Sequence, residues 1–244
     1  MDSHILKETF NLDSQHKWDT LPKFEYVGAP TKLEAACAFT KASGITSMEK
    51  WISSKMPVKL GGIGFGNTTD DIPKVLMAAL GLPIQLVSGY KGVAEIRLAV
   101  DGGEVSGLCT AWETIRSMWS KAIESGDMVV VLQTLSKPHP ELPKVPLAIN
   151  FAKTEEARRF IQVGINDMAT IYRPYVLPPA TPKERIQLLR KAFMDTMKDP
   201  EFLADAAKSN LDLDPLTGEE LERTVAVLFK LGPETVNKLK EILK

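Results

Sequence analysis

Three histidines, His4, His16 and His139, are the whole imidazole supply of this 244-residue chain. Acid-base or nucleophilic catalysis needs a titratable group within hydrogen-bond reach of the reacting atom, most often an imidazole or a raised carboxylate. None of the three histidines falls in an HExxH, nucleophile-elbow or Cys-His context. His4 and His16 sit in an irregular N-terminal stretch, and His139, flanked by Pro138 and Pro140, is expected to be an exposed loop residue. A carboxylate pair such as Asp70 and Asp71 could do acid-base work, but adjacent acids at a helix start are better explained by attraction to the positive end of the helix dipole. No catalytic residue, metal-ligand set or cofactor is assigned.

The glycine-rich run Gly61 to Gly66 sits where a strand should hand over to a helix. It fails as a dinucleotide fingerprint: counted from Gly62 and Gly64 the third glycine falls on Asn67, and counted from Gly61 the second falls on Ile63. It fails as a phosphate loop because no Lys-Ser or Lys-Thr pair closes it. What remains is a turn whose backbone can approach a ligand, leading into a helix N-terminus whose N–H groups and hydroxyls suit an anion such as a carboxylate. Gly64, Phe65, Gly66, Asn67, Thr68 and Thr69 are the candidate binding residues here, with a tight turn that holds no ligand as the alternative. The helix end contributes only ~0.3 to 1 kcal/mol and Asp70 and Asp71 offset part of it, so direct hydrogen bonds must supply most of the affinity.

A second turn of the same kind runs through Ser88 and Gly89 to Tyr90, Lys91 and Gly92. Open α/β sheets bind ligands beyond the carboxyl ends of their strands, so the two turns are expected side by side. A third strand ends at Thr110, Ala111 and Trp112, facing the same crevice, with Trp112 either filling the core or walling the cleft.

The elements that must position these turns are legible in the hydrophobic pattern. Strands are expected over Leu33–Phe39, Lys59–Gly64, Ile84–Val87, Val105–Cys109 and Met128–Leu132, and helices over Ser47–Ser53, Val75–Leu80, Val93–Val100 and Trp112 to about Ser125. Thr68 with Asp71 approximates a capping box ahead of the second helix. The alternation argues for a parallel α/β sheet. After the proline-rich passage Pro138–Pro146 the sequence becomes helical from Thr154: Thr181 with Pro182 and Glu184 reads as a capping box, Asp199-Pro200 as a helix start, and Thr217 with Glu220 as a further cap.

Composition excludes several partners. With 30 Lys and Arg against 31 Asp and Glu, no overall field recruits nucleic acid or an anionic membrane. No run of 18 apolar residues exists, and Met1 to Asp13 carries no apolar stretch fit for an export signal. Cys37 and Cys109 lie far apart and outside any CxxC pattern; buried free thiols are the default expectation and one disulfide the alternative.

Four segments in order, GGIGFGNTTDDIPKVLMAALG, VSGYKGVAEIRLAVDGGEVSG, VVLQTLSKPHPELPKVPLA and YVLPPATPKERIQLLRKAFMDTMKDPEF, resemble the Bug family of solute receptors, the substrate-binding proteins of tripartite tricarboxylate transporters. The resemblance runs from about Trp18 to the C-terminus. It implies a periplasmic binding protein type II-like α/β fold, two lobes joined by crossing strands that close by hinge motion, with a helical C-terminal layer. It implies a second lobe over 39–131 carrying the glycine-rich ligand turns, the first lobe and C-terminal helices taking 1–38 and 132–244, and Leu33–Phe39 and Met128–Leu132 near the hinge. The family's export signal and first-lobe jaw have no match before Trp18, so an N-terminally truncated, incomplete first lobe is expected.

By the same resemblance the chain is expected to be periplasmic, to bind a small organic acid without turnover and to deliver it to a membrane permease. An exposed sheet edge could make it a homodimer. The competing expectations are a transferase holding an acyl or phosphate group at the glycine turn, and an interaction module formed by the incomplete lobe.

Overall fold

In the computed structural model, which describes residues 21–209 and 211–244, the strands are β1 (Glu25–Ala29), β2 (Ala35–Thr40), β3 (Val58–Gly62), β4 (Ile84–Ser88), β5 (Gly107–Ala111), β6 (Met128–Gln133), β7 (Tyr175–Leu177) and β8 (Leu216–Thr217). The main helices are α1 (Met48–Ile52), α2 (Thr68–Leu80), α3 (Val93–Asp101), α4 (Trp112–Ser125), α5 (Glu155–Ile161), α6 (Lys183–Thr196), α7 (Pro200–Lys208), α8 (Gly218–Leu228) and α9 (Pro233–Leu243). His4, His16 and Trp18 lie outside the described residues. The chain divides into two units, Glu34–Asn166 with Lys238–Lys244, and Asp167–Asn237 with the described part of Met1–Leu33.

The larger unit is built on a five-stranded sheet in the order β4-β3-β5-β2-β6. β3 pairs in parallel with both β4 and β5, while β2 is antiparallel to β5 and to β6. Two antiparallel steps restore direction, so β6 runs the same way as β5. The expectation of a parallel sheet therefore holds for β3 to β6 and fails for β2, which is inserted against the grain between β5 and β6. Strand-helix alternation cannot reveal that insertion, because β2 precedes the alternating segment and its pairing is non-local.

Side chains alternate across β2 and β5, so Ala36, Ala38 and Leu108 face one way and join Ile96, Val100, Trp112, Ile115 and Trp119 from α3 and α4 in one apolar cluster. The opposite face takes Phe39, whose ring meets Trp51 of α1 edge-on at 4.6 Å. Small residues in β2 and β5 let the strands approach: a Cβ on Gly107 would lie 2.0 Å from the Ala38 carbonyl oxygen. On that same face Cys37 and Cys109 are direct partners across the antiparallel pair and form a disulfide, with both residues fully buried. The default expectation of free thiols is thus corrected to the alternative. Spacing in the sequence cannot decide it, because the partners meet only through the β2–β5 register.

The smaller unit holds a three-stranded antiparallel sheet, β7-β1-β8, covered by α6 and α8 against β1. Gly28 of β1 leaves room for the Phe193 ring, which a Cβ there would meet at 2.4 Å. Arg190 of α6 donates to the Tyr26 carbonyl at 2.8 Å and to Glu219 at 2.7 Å, and also reaches Glu222. Thr217 and Glu220 form the complete reciprocal capping box read from the sequence, and Asp199 caps α7 through Glu201 and Phe202 with Pro200 at the first helical position. The box expected at Thr181 does not form: α6 starts at Lys183, and the Thr181 hydroxyl donates to the Pro178 carbonyl instead. Among the described residues no helix is long and apolar enough to cross a membrane.

Candidate functional site

The carboxyl ends of β3, β4 and β5 lie on one edge of the larger unit's sheet, because the three strands are neighbours and parallel. Gly62 and Ser88 end β3 and β4 as paired residues. The Gly62 carbonyl then accepts from the N–H groups of Gly89 at 3.1 Å and Tyr90 at 3.3 Å, which stitches the two turns together. β5 delivers Thr110 and Ala111 to the same edge, and Trp112 starts α4 there. The fold thus brings all twelve candidate residues to one side of one unit.

The first turn is built differently from the sequence expectation. Asn67 caps α2, its side-chain oxygen accepting from the Thr69 N–H at 3.2 Å and the Thr69 hydroxyl at 3.0 Å; the capping box expected between Thr68 and Asp71 does not form. Asp70 and Asp71 are buried, and they serve as acceptors for the turn rather than as solvated acids balancing a dipole. Asp70 accepts from the Gly64 N–H at 2.8 Å, from the Thr69 hydroxyl at 3.0 Å and from the Ser88 hydroxyl. Asp71 accepts from the Gly66 N–H at 3.1 Å, and the Ile63 N–H donates to the Thr69 hydroxyl at 3.0 Å. Four N–H groups open to an anion at such a turn, those of Ile63, Gly64, Gly66 and Thr69, are therefore spent inside the protein. Gly66 can make this turn because its φ of 79° is open to glycine and strained for other residues.

The second turn shows the same economy. The Lys91 N–H donates to the Glu95 carboxylate at 2.9 Å, and the Tyr90 hydroxyl donates to Glu104 at 2.8 Å. Partial burial, with the Glu104 carboxylate beside it, pushes the Tyr90 phenol up to about 12. The Thr68 hydroxyl, the Asn67 amide nitrogen and the Lys91 ammonium have no partner among the described residues, and they are among the donors this edge can offer. Phe65 is partly exposed, with the Lys74 ammonium 5.5 Å from its ring centroid.

The third segment resolves the open choice for Trp112. Its ring is buried in the apolar cluster, yet its indole N–H donates to Glu141 at 2.6 Å. Glu141 also receives Arg116 at 2.6 Å. Burial alone would raise the Glu141 carboxyl, but the Trp112 hydrogen bond together with the charge and hydrogen bond of Arg116 outweighs it and holds the group below its ordinary value of 4.5.

His139 is not an exposed loop residue: it is 7% exposed and lies against this same network. Its Nδ1 accepts from the Glu141 N–H at 3.1 Å, which leaves Nε2 to donate to Glu34 at 3.1 Å. Its own N–H donates to Gln133 at 2.8 Å, and Gln133 in turn donates to the Leu142 carbonyl at 3.0 Å and to that of Val145. The proline-rich passage is folded back and fastened at the edge where β5 and β6 end and β2 begins. Sequence reasoning misses Glu34, Gln133, His139 and Glu141 because flanking prolines read as an open loop. A histidine among charged neighbours could have hinted at burial, but only with the strand order known.

No protein-family model matches the chain, and no curated protein matches its sequence. By structure it is similar to a TctC solute-binding protein from Polaromonas with no ligand (TM-score 0.66, 15% identity, 90% of this chain and 69% of that one). It is also similar to the R. palustris protein Rpa4515 with adipate (TM-score 0.62, 18% identity, 90% and 69%). A third is the periplasmic binding protein BugD (TM-score 0.61, 17% identity, 96% and 76%). The chain therefore has the fold of the Bug and TctC solute-binding proteins, a periplasmic binding protein type II-like α/β fold with two sheets.

Proposed function

We propose that this protein is a solute receptor that binds a small organic acid and serves a tripartite tricarboxylate-type transporter. The observation that carries the reading is the gathering of three strand-to-helix segments, at Gly64–Thr69, Tyr90–Gly92 and Thr110–Trp112, on the carboxyl edge of neighbouring parallel strands, where α/β sheets take their ligands. The fold shared with solute-binding proteins, one of them solved with adipate, supports the same ligand class. Lys91 and Thr68 are the groups expected to meet a carboxylate, since their donors are not used elsewhere.

The role is binding without turnover, delivery is to a membrane permease, and the compartment is the periplasm, in keeping with the names of the similar structures and with a buried disulfide. The lobe division at 39–131 and hinge closure belong to the same reading. A homodimer through a sheet edge is tested separately by solution mass. The receptor reading is tested by a thermal-shift panel of small mono- and dicarboxylates. Ligand-dependent stabilisation is expected, and no response to any acid at millimolar concentration contradicts it.

A further inference from the structure

We propose that the Cys37–Cys109 disulfide is installed before the sheet of the larger unit closes, so that the chain reaches its fold only where a thiol–disulfide oxidant is present. Both cysteines are 0% exposed. They sit on β2 and β5, which are interior strands of the five-stranded order, and face one another in register. The bond closes a separation of 72 residues that contains α1, β3, α2, β4 and α3.

Disulfide formation removes two protons and two electrons from the thiol pair. One cysteine thiolate attacks the disulfide of the oxidant and displaces one of its sulfurs as a thiolate, leaving a mixed disulfide. The second cysteine thiolate then attacks the cysteine sulfur of that mixed bond and displaces the oxidant's second sulfur as a thiolate, so the oxidant's two sulfurs leave reduced, carrying both electrons. Each attack needs a reagent sulfur in line with a cysteine sulfur. In the closed sheet Phe39 and Trp51 pack on the same face of β2, and neither sulfur reaches solvent. The exchange therefore belongs to the open chain, and reduction of the finished protein must wait for the sheet to open.

The bond also sets the strand register around it. Holding Cys37 opposite Cys109 fixes Ala36 against Thr110 and Ala35 against Ala111, and so positions the end of β5 at the candidate site. It does so whether or not a ligand binds, so this inference stands apart from the receptor reading.

The test uses the full chain. Denatured, reduced protein is diluted into glutathione redox buffer or into reductant alone, and recovery of near-ultraviolet circular dichroism is followed. Recovery is expected only with the oxidant, and full recovery in reductant overturns the proposal. Reduction of the native protein by dithiothreitol should be slower than in urea by roughly 100-fold or more, set by the rarity of opening; equal rates overturn it. The purified protein, denatured without reductant, should take up no alkylating label, and labelling of both cysteines overturns it. Because reduced thiols could themselves crowd the sheet, Cys37→Ala/Cys109→Ala is measured as well. No cooperative urea transition is expected for it, and a variant that folds with the near-ultraviolet circular dichroism of the oxidised protein overturns the dependence.

Discussion

The Asp70 carboxylate accepts the Gly64 N–H at 2.8 Å, so the glycine turn is held by an acid of its own helix. The same carboxylate takes the Ser88 hydroxyl from the end of β4, and one side chain thereby couples the two turns that the receptor reading relies on. A Cβ on Gly62 would lie 2.7 Å from it, so the glycines of this run make room for the acid as much as for any ligand.

Asp70→Ala leaves the Gly64 N–H and the Ser88 hydroxyl without their acceptor, while the Thr69 hydroxyl keeps Asn67, at a cost of about 3 kcal/mol. Asp70→Asn keeps an oxygen that can accept from Gly64 and should cost less than half as much. Urea unfolding checks both; a neutral Asp70→Ala contradicts the coupling.

His139→Ala removes both the acceptor of the Glu141 N–H and the donor to Glu34. A loss of about 2 kcal/mol is expected. The Trp112 ring lies 6.4 Å from the imidazole, so tryptophan emission should shift to the red. Unchanged stability and emission would show the loop to be loosely held.

Glu141 gives a pH dependence of definite sign. Its folded value lies below the ordinary 4.5, so the stabilisation it brings is complete above that value and is lost as pH falls through the lowered folded value. The stability difference between the wild type and Glu141→Gln should be constant above 4.5 and shrink toward zero in acid. A difference that grows in acid contradicts the assignment.

Thr217→Ala breaks the reciprocal cap of α8 and should cost about 1 kcal/mol. Circular dichroism during urea unfolding reads it, and no change would mean that Glu220 alone holds the turn.

Most local elements were legible in the sequence, although the capping boxes expected at Thr68 and Thr181 do not form, and long-range pairing was not. The span Trp112–Ser125, the Asp199 and Thr217 caps and the strand at Ile84 all arise from periodicity and capping within a few residues. The disulfide, the antiparallel insertion of β2 and the burial of His139 each depend on residues far apart in the chain, between which local pattern carries no information. The candidate turns are visible because strand, glycine and helix occur in sequence. Their donors are misjudged from sequence because Asp70 and Asp71, which read as helix-start charges, turn inward.

Titration calorimetry of the wild type and Lys91→Ala with the small carboxylate that most raises the melting temperature tests the central claim most directly. Saturable binding weakened roughly tenfold or more in the variant, as loss of a charge-assisted hydrogen bond requires, is the predicted result. No saturable heat with the wild type, or an unchanged affinity in Lys91→Ala, would contradict a carboxylate site on this edge of the sheet.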